Sequence, residues 1–99
     1  MPLLMKHTGP LWGIWKIEES SEVLLSLLRN REEHLPQLEL IRTEQRRREW
    51  LACRVLLQEL TGGPVCVAYR PNGAPYLSGS SLHISISHTK GYAAVLLQN

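Results

Sequence analysis

The residues with chemistry to offer lie in two short stretches. The first is "SISHTKG", residues 85–91. Ser87, His88, Thr89 and Lys90 supply two hydroxyls, an imidazole and an ammonium around a turn that has N–H donors of its own. Such a set suits an anion, phosphate above all. A free histidine titrates near pH 6.5, so an anion beside His88 would favour its charged, doubly donating form. Ser87 and His88 are neighbours, and neighbours on a strand point to opposite faces, so they do not make a nucleophile–base pair. The plainer reading of the same residues is a polar strand end.

The second stretch is "RTEQRRREWLACR", residues 42–54, with five Arg against two Glu. At helical spacing Arg47, Arg54 and Gln58 share one face, while Arg48 falls on another, nearer Glu44, Val55 and Glu59. Arginine presents a rigid fork of donors that matches phosphate oxygens. An anion site and a solvated face laced with ion pairs are both open on spacing alone.

Composition removes other chemistries. All nine acidic residues are Glu, and none follows Glu59. A magnesium or calcium site needs several oxygen ligands, and residues 60–99 have no carboxylate side chain to give. His7, His34, His83 and His88 are scattered, and Cys53 and Cys66 lack the paired spacing of a zinc site. "TGGP" lacks the Lys and Ser or Thr of a phosphate-binding P-loop. A net charge of +2 and one short basic run with no aromatic ladder argue against nucleic acid. No apolar run reaches the roughly 18 residues of a membrane span, and "MPLLMKHTGP" is no signal peptide. Two isolated cysteines fit apolar packing in a reducing cytoplasm.

The elements that must position these residues read as β, α, α, β, β, β. In "LWGIWKI", Leu11, Gly13, Trp15 and Ile17 alternate with Trp12, Ile14 and Lys16, the period of a strand buried on much of both faces. Ser20 or Ser21 caps a helix carrying Val23, Leu24, Leu27 and Leu28, expected to stop before Pro36. Thr43 caps the longest helix, whose Trp50, Cys53, Leu57 and Leu60 form one face and whose Leu51, Val55 and Leu56 widen it; "TGG" closes it. A strand over residues 65–69 leads to the "PNG" turn. The strand with Ile84 and Ile86 then turns at "HTKG" into "YAAVLLQ". Strands joined by hairpins beside helices give an α+β class, a mainly antiparallel sheet packed on two helices in a single domain spanning 1–99.

The order "RRREWLACRVLLQEL", "YRPNGAPYL", "ISISHTKGYAAVLL" resembles the amino-terminal lobe of the two-lobed 4′-phosphopantetheinyl transferases, over roughly residues 38–97. Those enzymes move the phosphopantetheine arm of coenzyme A to a Ser of an acyl or peptidyl carrier protein. The resemblance implies that Arg48 holds nucleotide phosphates and that Ser87 and His88 contact coenzyme A, with His88 at the 3′-phosphate. It implies that "NGAPYL", with Gly73 and Pro75, is the turn that approaches the nucleotide. Ala74 stands where the family has Lys, and Lys90 or Arg70 is the candidate to compensate. The family's Asp- and Glu-bearing Mg²⁺ segments are not found here. The expectation is therefore a binding lobe without catalytic residues, inactive alone, working with a C-terminal lobe or a second copy. The alternative is a non-catalytic module that keeps the fold and binds a partner. "YAAVLLQ" is expected to be a sheet edge open to such pairing.

Overall fold

The computed structural model describes residues 3–8, 11–63, 66–79, 83–89 and 91–98, with side chains from Trp12 onward. Its elements are β1 (Leu3–Thr8), β2 (Leu11–Lys16), α1 (Ser21–Leu27), α2 (Arg31–Leu38), α3 (Glu44–Thr61), β3 (Val67–Tyr69), β4 (Pro75–Leu77), β5 (His83–Thr89) and β6 (Tyr92–Gln98). The class is α+β. An antiparallel sheet of order β1-β2-β6-β5 covers the helices, and β3 and β4 form a separate hairpin.

The period-two pattern of β2 decides which face is inside. Gly13, Trp15 and Ile17 are buried while Trp12 and Ile14 are half-exposed. On β6 the buried set is Ala93, Val95 and Leu97, and on β5 it is Ile84 with Ile86 partly covered. Against this face lies α3, whose Leu51, Ala52, Val55, Leu56 and Leu57 are fully buried. Its other side receives α1 through Leu24 and Leu28. A helix apolar nearly all round needs cover on both sides, and here the sheet and α1 provide it. Trp15 keeps its indole N–H satisfied by donating to Glu19 Oε1 at 3.2 Å.

The caps are where the sequence places them. The Ser20 side chain accepts from the Val23 N–H, and Thr43 does the same for Arg46. Gly62 ends α3 at φ 81°, a left-handed geometry that costs glycine little.

Four expectations are corrected. The chain has three helices among the described residues, because α2 runs through Pro36. Pro36 is exposed, so the carbonyl one turn earlier that loses its N–H partner faces the solvent side, while His34 and Leu38 bury the opposite face. β1 is an additional strand, paired with β2. β6 is not an edge: it lies between β2 and β5, hydrogen-bonded on both sides, and the edges are β1 and β5. Packing holds for Cys53, whereas Cys66 is exposed and precedes β3 instead of lying in it. Pro64, Val65 and Lys90 lie outside the described residues.

Candidate anion-binding site

The register of the β5–β6 hairpin sets the site. His88 pairs with Ala93 and shares the helix-facing side with Ile84 and Ile86, so its ring points toward the first turns of α3. There Arg46 Nη1 lies 2.8 Å from His88 Nε2. A guanidinium only donates, so Nε2 accepts and the ring proton sits on Nδ1. Glu49, one turn along α3, places Oε1 3.6 Å from Arg46 Nη1 and 3.6 Å from His88 Nδ1.

Behind this trio is a cavity of about 190 Å³, lined also by Trp50, Cys53, Arg54, Tyr69, Pro75 and Ile86. Arg54 is only 2 % exposed. Its guanidinium stacks 3.7 Å from the Trp50 ring centre, and Nη2 donates to Tyr69 Oη at 2.9 Å. Nη1 reaches the Trp50 carbonyl at 3.4 Å, and Nε has no hydrogen-bond partner. A buried cation with no carboxylate paired to it among the described residues leaves the cavity wall positive. The aromatic face offsets part of the desolvation cost. His34 meets the same Trp50 edge-on at 5.7 Å, tying α2 to this wall. Burial pushes the Cys53 thiol up to about 11, against the opposing pull of Arg54 and Arg46, so it stays neutral and unreactive here.

Glu49 also borders a second cleft of about 200 Å³ with Ile17, Gln45, Arg48 and Gly91. Arg48 donates from Nε to the Glu19 carbonyl at 2.8 Å and from Nη2 to the Ile17 carbonyl at 3.2 Å. It fastens the end of β2 to α3 and still presents a charge to the cleft. Next to it, Glu44 accepts from the Ser21 hydroxyl at 2.6 Å and the Ser21 N–H at 2.9 Å. Those bonds, the hydroxyl's first, hold the Glu44 carboxyl below the usual carboxylate range.

The residues singled out by sequence are thus only partly gathered. His88 and Pro75 share the cavity, with Gly73 on the adjoining turn at φ 88°. Arg48 lies in the neighbouring cleft, and Lys90 is outside the described residues. Ser87 is on the opposite face of the sheet, in a shallow groove with Trp12, Ile14 and Leu96. Arg70 stacks over Tyr76 at 5.0 Å within the β3–β4 hairpin. Of the face shared by Arg47, Arg54 and Gln58, only the solvated reading fails: Arg54 and Gln58 are buried, and Arg47 donates to the Ile41 carbonyl. Arg46 and Glu49 are the partners that spacing did not select. An Arg-Glu pair three apart on a helix looks like a surface ion pair, and only the approach of β5 turns it into a site.

The fold is a small α+β domain with a cavity lined by Arg46, Arg54 and His88 between β5 and α3. No protein-family model matches the chain, and no curated protein matches it. Among solved structures, the chain is similar to a holo-(acyl-carrier-protein) synthase from Bacillus anthracis str. Ames, determined in complex with CoA (3′,5′-ADP). The identity is 19 %, the TM-score 0.58, and the match covers 89 % of this chain and 94 % of that one. At this identity the likeness is one of fold.

Proposed function

We propose that this chain is a phosphopantetheinyl-transferase domain of the two-lobed type that binds the phosphates of coenzyme A. In the complete enzyme it would serve transfer of phosphopantetheine to a carrier-protein Ser. The observation that carries the reading is the Arg46–His88 contact at the mouth of a cavity walled by buried Arg54 and by Pro75 of the nucleotide-type turn. It occurs in a fold shared with a synthase solved with CoA (3′,5′-ADP). The sequence order around Arg48, Gly73, Ser87 and His88 supports the same family.

The part played by each residue follows from its chemistry. Arg46 and His88 face the phosphate, Arg46 through its guanidinium donors and His88 through its ring N–H. Arg54 adds fixed positive potential from behind. Arg48 orients the α3 end against β2 and offers charge to the adjoining cleft. Magnesium would neutralise the breaking pyrophosphate in such a transfer. No group of three or more His, Cys or Glu side chains able to hold a metal occurs among the described residues. On the family resemblance, the chain is read as a binding lobe, inactive alone, that acts with a second lobe or copy.

Calorimetric titration with coenzyme A, with and without Mg²⁺, tests this. Weak binding that is largely indifferent to the metal is expected, falling about tenfold in R46A and in H88A, since each removes a charge-assisted bond. R48A is expected to weaken it as well. Absence of binding in the wild type would refute the reading, and a stoichiometric requirement for Mg²⁺ would reveal a metal site in the chain.

A further inference from the structure

We propose that the Tyr69 hydroxyl, backed by the buried Arg54, donates directly to the anion held in this cavity. This rests on the reading above and adds a binding residue to the same site. At the mouth, Arg46 Nη1 is engaged by His88 Nε2 at 2.8 Å and lies 3.6 Å from Glu49 Oε1. The uncommitted donors belong to Arg54 and Tyr69. Arg54 is 2 % exposed, yet only its Nη2 makes a bond of ordinary length, to Tyr69 Oη at 2.9 Å. Nη1 reaches the Trp50 carbonyl at 3.4 Å, and Nε has no partner. Buried polar groups are normally satisfied, and a buried cation normally has a counter-charge.

A guanidinium only donates, so Tyr69 Oη accepts from Arg54 and its own proton is left to give. No group among the described residues accepts that proton. A hydroxyl that accepts from a cation becomes a stronger donor in turn. Core packing does not account for the side chain, which is 48 % exposed. Its place in the ladder does: Tyr69 pairs with Pro75, and both border the cavity that Arg46 and His88 close. That cavity, about 190 Å³, is several times the roughly 30 Å³ of a liquid water, which is room for a phosphoryl group. A neutral acceptor would take the Tyr69 proton and leave the Arg54 charge unanswered. An oxyanion answers both.

The test has two arms on the full chain. Calorimetry compares the unaltered protein with Y69F, using adenosine 3′,5′-bisphosphate. Y69F is expected to bind about tenfold more weakly, as for the loss of a hydrogen bond to a charged group. The second arm separates contact from mere support of Arg54. Tyr69, Tyr76 and Tyr92 are the chain's tyrosines, so in Y76F/Y92F the Tyr69 ring gives the sole tyrosine resonance in ring-labelled NMR. That resonance is expected to shift when inorganic pyrophosphate is added, and this arm stands even if Y69F does not fold. If the unaltered chain binds but Y69F binds equally well, or if the Tyr69 resonance does not move, the role of Tyr69 is overturned while the anion seat stands. Failure of the unaltered chain to bind either probe overturns the seat itself, and this role with it.

Discussion

Two cysteines in one small chain have opposite surroundings. Cys53 is buried against the cavity wall with its thiol pushed up to about 11, whereas Cys66 is exposed. The thiolate is the reactive form, so a disulfide reagent at pH 8 should label Cys66 promptly and Cys53 only on unfolding. Equal rates would mean that α3 does not seal that wall. The sign for stability follows: a thiol whose folded pKa is raised opposes ionisation, so its contribution is present at neutral pH. It is lost as pH climbs above the unfolded value near 9. His88 as a candidate anion-binding residue was legible in "SISHTKG". That Arg46 and not Arg48 would meet His88 was not, because residues 42 apart in sequence are brought together only by the packing of β5 beside α3.

Helix α3 is the element on which the rest is hung. Gln58 is buried and bonds twice to the end of α1: its side-chain oxygen accepts from the Arg29 N–H at 2.8 Å, and its amide donates to the Leu27 carbonyl at 2.7 Å. Gln58→Ala leaves both backbone groups short of a partner and should cost about 1–3 kcal/mol in urea unfolding. A cost below about 0.5 kcal/mol would show that water replaces the amide. At the other end, the Ser21–Glu44 bonds join the starts of α1 and α3. The folded pKa of Glu44 lies below its ordinary 4.5, so the unfolded chain binds the proton more readily. This contribution is present above pH 4.5 and is lost as pH falls through the lower folded value. The urea midpoint of wild type should fall more steeply than that of E44Q between about pH 5 and pH 3; parallel curves would sink the assignment. Caps at Ser20 and Thr43 were readable because a short polar side chain before a helix bonds to the backbone at its start. The path of α2 through Pro36 was not, since the burial of His34 and Leu38 outweighs a local preference.

At the level of the whole molecule, stability rests on the apolar layer around α3, which meets the sheet on one side and α1 on the other. A domain of this size has only about 5–15 kcal/mol of net stability. Leu56 is fully buried in that layer, and Leu56→Ala should cost about 2–5 kcal/mol and lower Tm by some 10 °C or more. Leu40 is 81 % exposed, and Leu40→Ala should stay within about 0.5 kcal/mol of wild type. Thermal unfolding of the two variants side by side checks the contrast; equal losses would mean that Leu40 is covered in solution. The same layer holds the site. β5 is an edge strand, and the position of His88 depends on β6 being clamped between β5 and β2.

By itself the sequence determined the α+β class, the period-two patterns of β2 and β5, the caps of α1 and α3, and His88 as a candidate anion-binding residue. These are local properties: periodicity, side-chain shape and turn preference act over a few residues. The tertiary structure decided the central place of β6, the burial of Arg54 against Trp50 and Tyr69, and the meeting of Arg46, Glu49 and His88. Those depend on which strand lies beside which helix. Short-range signals cannot encode that choice, because it is made by burying the whole apolar surface at once.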